Sequence, residues 1–494
     1  MVSNIGCNIG KFIDESCETV RGNSLKQTLY ATAVATVATT APYIAKPIFD
    51  SYPLLTTLAF SVNLICLALL AKNAIQWSNV TIYLLAVPII GMFGIKWNPE
   101  SPTPVYQAQK YEKIGSLEYV REANGSAQPV LTIKTDDPYD KGYAYGFLTA
   151  PQVRYIYESV FPPLIVFAQL RAGDVKGEWL DKKIDGYTIP EHYLTEMKGL
   201  KDGVNDWFEK NEDPWRLTSK QVLQIHCFTD TYKMGKEPFI GKKAFQYLWN
   251  VLFGDMGCST MVIKRDEQMV VARNMDWPGL GMGELAITRV DLLQDGSQVR
   301  SHIYPGVISV ATAIKIKDDD LKLAAIVNEC SERSIGSGIP CGLWVRACIE
   351  TCNTVDEVKQ FVASQRKTAS SFHLTVADGQ NACNFQMHPR KDVYHLSRSL
   401  NDRGHLVVTN HFIDPATQQP IEGGLIPGTS GIRYHTVCKT IENNPHLPLE
   451  EVTAQALQGV NRSLTLSSHY YAFGPKKPGI QIVTANAWAA EKLS

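Results

Sequence analysis

Three side chains within one short stretch could share a reaction: the thiol of Cys258, the guanidinium of Arg273 and the carboxylate of Asp276. In the run Gly254-Asp255-Met256-Gly257-Cys258-Ser259-Thr260, two glycines break a helical pattern just before a strand-like one starts. STMVIKR and MVVARN, joined by DEQ, read as a β-hairpin turning at residues 266–268. Ordinary register brings residues 273–276 back beside the start of the first strand. Thiol, guanidinium and carboxylate would then meet at one end of one sheet.

Such a trio has a use if Cys258 becomes a chain terminus. A free α-amino group titrates at about 8, close enough to neutrality to act as general base, which a mid-chain amide cannot do. Cutting the Gly257-Cys258 bond would put that base on the same residue as the nucleophile. Arg273 would favour the thiolate, and Asp276 would orient the α-ammonium. Gly257, with no side chain, would leave room for strained backbone and for attack by the cysteine sulfur. Plainer readings stand beside this one. A cysteine opening a strand also serves as a small buried hydrophobe, and Arg-x-x-Asp at a strand end also serves as a surface ion pair.

The elements that must position these groups change character along the chain. From 141 to 257 apolar residues recur three and four apart, as in VRYIYESVFPPLIVFAQL, HYLTEMKGLKDGVNDWFEK and LTSKQVLQIHCFTDTY, the helical period. From 258 onward STMVIKR, LAITRVDL, VISVATA, LKLAAIVN, FHLTVAD, ACNFQMH and HLVVTN are short and strand-like, with helical interruptions at 341–366 and 432–459. Helices packed on sheets, an α+β architecture, are expected.

Charge divides the 494 residues in another way. Only 10 of the 97 charged residues lie in positions 1–99, and 27–45, 51–71 and 73–95 contain no Asp, Glu, Lys or Arg. A helix of roughly 20 apolar residues spans a bilayer, so two or three transmembrane helices are expected within 28–97, with the lipid bilayer as a partner and the side of the catalytic part left open. Residues 98–127, from NPESPTP to REANGSA, read as a linker. The balance of 48 basic against 49 acidic residues supplies no field to condense on phosphate backbones, so nucleic acid is not an expected partner. The 11 cysteines form no C-x-x-C pair and the 11 histidines no H-E-x-x-H, which disfavours a structural zinc site and a metallohydrolase.

The order Gly257-Cys258-Ser259-Thr260, then Arg273-Asn274-Met275-Asp276-Trp277, then LAAIVN, GIPCGLWVRACIETCNTVDEVKQFV, LVVTNHF and SGIRYHTVCKTI resembles one enzyme group. It is that of the N-terminal-nucleophile (Ntn) amidases of the choloylglycine hydrolase, acid ceramidase and N-acylethanolamine acid amidase superfamily, to which isopenicillin N acyltransferase is related. The likeness runs over roughly residues 140–485. It implies a four-layer αββα Ntn-hydrolase fold, here preceded by the transmembrane helices. A helical α part, 128–257, and a β part, 258–494, would pack as one domain after a segment 1–27, a membrane region 28–97 and the linker 98–127. It implies self-cleavage between Gly257 and Cys258, with both fragments staying associated.

By the same resemblance Cys258 is the nucleophile with Arg273 and Asp276 beside it. Asn328 matches an oxyanion-side asparagine, Asn410 the asparagine supporting the tetrahedral intermediate, and Arg433 an arginine on a late helix. The implied reaction is hydrolysis of a linear amide through a thioester, with a small-molecule N-acyl amide as substrate, ceramide-like or N-acylethanolamine-like, and with no metal or organic cofactor. An acyltransferase of the isopenicillin N type uses the same residues. A non-enzymatic docking protein is the more distant alternative.

Overall fold

A computed structural model describes residues 104–121, 127–162, 164–165, 178–231, 257–277, 282–330, 335–365, 367–389, 396–417, 429–461, 465–474 and 479–484. All of them fall in one compact unit built from 96–239 and 253–494; a second unit, 1–95 with 240–252, lies outside the described residues.

Three strands come first: β1 (Gln109–Tyr111), β2 (Gly115–Arg121) and β3 (Ala127–Ile133). Helices α1 (Pro138–Leu148), α2 (Ala150–Tyr155, running into a π-helical turn at 156–160), α3 (Glu178–Ile184), α4 (Glu191–Lys210) and α5 (Ser219–Thr231) follow. The hairpin β4 (Gly257–Arg265) and β5 (Gln268–Asp276) leads through a short helix α6 (Met282–Leu285) to β6 (Ile287–Leu292), β7 (Gln298–Ile303), β8 (Thr312–Lys317) and β9 (Asp320–Glu329). Then come α7 (Cys341–Thr351), α8 (Val355–Ser364), β10 (Phe372–Ala377), β11 (Ala382–Met387), β12 (Ser397–Ser399) and β13 (His405–Val408). The chain closes with α9 (Ser430–Asn443), α10 (Leu449–Gly459), β14 (Thr465–Phe473) and β15 (Gly479–Thr484).

Two sheets result, one ordered β1-β2-β3-β6-β7-β8-β9-β10-β11-β12 and the other β13-β4-β5-β14-β15. Strand alternation explains why they stack. On the central strands Val262, Val271 and Tyr471 point to the large sheet and pack on Ile314, Ile326 and Ala377. The neighbouring Met261, Ile263, Val270 and Ala272 point the other way, onto Val437 and Ile441 of α9 and Val452 and Ala456 of α10. Beyond the large sheet α7 covers β8 and β9, and α8 covers β10. The layers therefore run helix, sheet, sheet, helix, and β4 is buried on both faces.

Helices α1 and α4 lie unusually close. A Cβ placed on Gly142 would stand 1.9 Å from the Glu196 carbonyl oxygen, and one on Gly146 2.1 Å from that of Leu200. Reciprocally, a Cβ on Gly199 would stand 2.1 Å from the Tyr139 oxygen and one on Gly203 2.2 Å from that of Tyr143. Two G-x-x-x-G faces thus let the backbones touch. The close approach lets Glu196 of α4, 2% exposed, reach Arg289 of β6 at 2.8 Å and Arg346 of α7 at 2.7 Å. Burial alone would raise the Glu196 carboxyl, but Arg346 and Arg289 override it and hold the group down at about 2. Helical layer and large sheet are pinned together there.

Several expectations are corrected. No helix among the described residues is long and apolar enough to cross a membrane. The multi-pass membrane reading of 28–97 gains no support from the structure and is not carried further; the charge-free stretches that prompted it, 27–45, 51–71 and 73–95, lie outside the described residues. The stretch read as a linker, 98–127, contains β1 and β2, because Leu117 is buried under α1 while Glu118 and Val120 face outward. VISVATA is not one strand: β8 starts only at Thr312, because Pro305 and Gly306 make a turn and the Val310 amide is held by the Gly342 carbonyl. Strands β7 and β14 went unread, since QVRSHI and TLSSHYYAF carry polar residues on buried positions, among them His302, Ser467 and His469.

Candidate active site

The hairpin has the register the turn demands. Arg265 pairs with Gln268 around a two-residue loop whose Asp266 takes φ +53°, a left-handed position that Asp tolerates. At the other end Gly257 pairs with Asp276, Cys258 with Met275 and Thr260 with Arg273. Even-numbered residues of β4 share the face of Val262, so Cys258 and Thr260 look into the layer between the sheets.

Cys258 is 3% exposed. Arg273 Nη2 donates to its Sγ at 2.9 Å, a guanidinium placed to favour negative charge on the sulfur. The other limb, Nη1, donates to the Ala311 carbonyl and to Thr312 Oγ1, both at 2.6 Å, so the large sheet holds this arginine in place. The Cys258 amide donates to Asn410 Oδ1 at 2.9 Å. Arg433 closes the set: Nη1 donates to the Cys258 carbonyl at 2.5 Å and to Ser259 Oγ at 2.9 Å, and Nη2 to Asn410 Oδ1 at 2.6 Å. Four of the residues singled out in the sequence therefore converge through direct hydrogen bonds: Cys258, Arg273, Asn410 and Arg433.

Gly257 belongs to the same cluster for a reason other than strain. It does not take positive φ. A Cβ there would stand 2.5 Å from Arg433 Nη2 and 2.5 Å from Asn410 Oδ1, so the two side chains occupy the space a larger residue would need. Asp276, opposite Gly257, is fully buried and accepts from Thr465 Oγ1 at 2.6 Å, which links it to β14.

Asn328 is placed differently. Its Oδ1 accepts from Thr260 Oγ1 at 2.6 Å, and its Nδ2 donates to the Val408 and Thr409 carbonyls at 3.1 and 3.3 Å. The amide thus stitches β9 to β4 and β13, and the structure does not bring it to the Cys258 sulfur. Asn410 Nδ2, for its part, donates to the Glu329 carbonyl at 2.7 Å.

The sequence reading missed the supports. Ser430, opening α9, accepts the Asn410 amide at 2.8 Å and lies 2.8 Å from His411 Nδ1. Burial, followed by the charges of Arg398 and Arg433, pushes the His411 imidazole down to about 4, so it is neutral at ordinary pH. His302 and His469 face each other edge to face, 4.8 Å between ring centroids, beside Arg273. Burial and then Arg273 push His302 down to about 4; burial, His302 and Arg273 push His469 well below its ordinary value. The one signal that could have found this pair was polar residues alternating into a buried face. Among the described residues no group of three or more His, Cys, Asp or Glu side chains could hold a metal ion.

No curated protein matches the sequence. Residues 323–461 match the family model described as "Acyl-coenzyme A:6-aminopenicillanic acid acyl-transferase". That stretch contains Asn328, Asn410 and Arg433, and it stops short of the hairpin with Cys258, Arg273 and Asp276. From β9 to α10 the chain is thus similar to an acyltransferase family of the Ntn hydrolase-like superfamily, which also holds the choloylglycine hydrolases and acid ceramidases.

Proposed function

We propose that the chain is a self-processed cysteine enzyme that takes an acyl group from an amide onto Cys258 and passes it on. The observation that carries this reading is Arg273 donating to Cys258 Sγ while Asn410 Oδ1 accepts from the backbone nitrogen of the same residue. Sulfur and nitrogen are addressed by separate partners, as a residue serving as nucleophile and base requires.

Processing would begin with attack of Sγ on the Gly257 carbonyl carbon. The C–N bond breaks, the Cys258 nitrogen takes a proton, and water then releases Gly257 as a carboxylate from the thioester. In turnover the α-amine takes the thiol proton, Sγ bonds to the substrate acyl carbon, and the ammonium returns a proton to the departing amine. Asn410 and Asp276 would orient that amine; Arg433, tied to the Cys258 carbonyl, fixes the residue around which both steps turn.

Water as acceptor makes an amidohydrolase of linear N-acyl amides, and an amine as acceptor makes an acyltransferase. Similarity of residues 323–461 to an acyltransferase family gives the second reading equal weight. To test both, the processed protein is mixed with N-acyl amides and acyl thioesters of varied chain length, quenched in acid and mapped by mass spectrometry. An acyl group on the peptide beginning at Cys258 is expected, released as free acid in buffer and as a new amide when an amine is added. Equal turnover by the Cys258→Ala variant would overturn the reading.

A further inference from the structure

An acyl-transfer site needs donors for the oxygen that becomes negative as the tetrahedral intermediate forms. The two amides the sequence suggested are engaged: Asn410 Nδ2 with the Glu329 carbonyl, Asn328 Nδ2 with those of Val408 and Thr409. Another donor stands close by. Tyr304 follows β7, whose His302 pairs with Thr312, the residue that receives Arg273 Nη1. Two residues further on and on the same face, Tyr304 extends this row towards Ala311, whose carbonyl accepts the same guanidinium. The ring of Tyr304 meets that of His302 edge on at 6.0 Å.

Its backbone is fixed. The Val307 amide donates to the Tyr304 carbonyl at 3.1 Å across Pro305 and Gly306, the latter at φ +81°, and Tyr145 Oη of α1 donates to that carbonyl at 2.8 Å. Its hydroxyl is buried and has no hydrogen-bond partner among the described residues. Burial pushes the phenol well above its ordinary value, Arg273 opposing and Cys258 adding to the rise, so it remains a proton donor and senses both groups. Leaving a buried hydroxyl unpaired opposes folding; phenylalanine would avoid that cost. A rigidly held donor with no partner among the described residues, at the end of the row that receives Arg273, is explained by a partner that arrives with the substrate.

We infer that Tyr304 Oη donates a hydrogen bond to the substrate acyl oxygen while Cys258 Sγ bonds to the acyl carbon. The inference rests on the reading of Cys258 as nucleophile. As the S–C bond forms, the carbonyl π pair moves onto oxygen, and Tyr304 keeps its proton while stabilising that charge. When the pair returns, the C–N bond breaks and the proton for the departing amine comes from the Cys258 ammonium.

The test compares the full chain with its Tyr304→Phe variant in four measurements: self-cleavage, melting temperature, iodoacetamide alkylation of Cys258, and steady-state turnover of an N-acyl amide that the parent processes. Cleavage and alkylation at the parent's rates, a melting temperature no lower than the parent's, and kcat down by about 10²-fold with KM nearly unchanged are expected. A kcat within twofold of the parent's overturns the inference, as does loss of cleavage or a lower melting temperature, either of which would assign the hydroxyl to processing or to folding. Failure of the reading itself shows in the parent alone, as no acyl group on Cys258 with any substrate, and takes the inference with it.

Discussion

Gly257 is held to glycine by its neighbours. Its missing Cβ leaves the space that Arg433 Nη2 and Asn410 Oδ1 fill, each 2.5 Å from where that carbon would sit. Gly257→Ala must push apart the two groups that hold the Cys258 backbone, and a misplacement of about 1 Å costs a reaction about 10²-fold. Self-cleavage of this variant, followed by gel electrophoresis over time, is therefore expected to be at least about tenfold slower, while an unchanged time course would show that the crowding is irrelevant. At this scale the sequence was partly legible. The hairpin register around residues 266–268 follows from side-chain alternation, and it carries Arg273 and Asp276 to the Cys258 end. Asn410 and Arg433 were legible only by resemblance, since no spacing rule connects them to position 258. The commitment of Asn328 to Thr260, Val408 and Thr409 could not be read at all, because it depends on how two sheets stack.

Among the elements, the pair α1 and α4 decides whether the helical layer can seat on the large sheet. Alanine favours a helix over glycine by roughly 1 kcal/mol at an exposed interior position. Here the sign should reverse, because the added Cβ of Gly199→Ala would meet the Tyr139 carbonyl at 2.1 Å. A net loss of about 1–3 kcal/mol, the usual cost of overpacking, is expected from urea titration; a variant as stable as the parent or more so would mean that the helices can part freely. The separation feeds the site through Tyr145, which leaves α1 to hold the Tyr304 carbonyl. LTEMKGLKDGVN announced a helix through its period, yet Gly199 and Gly203 signal close packing only once Gly142 and Gly146 are known to face them. Strand β14 hid for the opposite reason: its buried Ser467 and His469 bond each other and look, in sequence, like solvent-facing residues.

Across the whole molecule, buried neutral imidazoles tie stability to pH. His226 Nδ1 donates to the Val222 carbonyl at 2.6 Å and its Nε2 accepts from the Ile308 amide at 2.7 Å, so protonation would break a bond. Burial pushes His226 down to about 4 from 6.5, and His302 and His411 also titrate at about 4. Between those values the unfolded chain binds protons that the folded one refuses, so stability is full above about pH 6.5 and falls as pH drops towards 4. Glu196, held at about 2 against an ordinary 4.5, extends the loss below pH 4.5. Urea midpoints at pH 7.5, 5.5 and 4 should decline in that order; a flat series would mean that these groups are not buried as described. The layered α+β arrangement was legible from the switch of periodicity at 258, whereas the reading of 28–97 as a membrane region rested on charge-free apolar stretches that lie outside the described residues. The central claim concerns one bond in the full-length protein. N-terminal sequencing of the purified chain should give a fragment starting Cys258-Ser259-Thr260-Met261, absent from the Cys258→Ala variant; an active parent in which Cys258 is still joined to Gly257 would contradict the account.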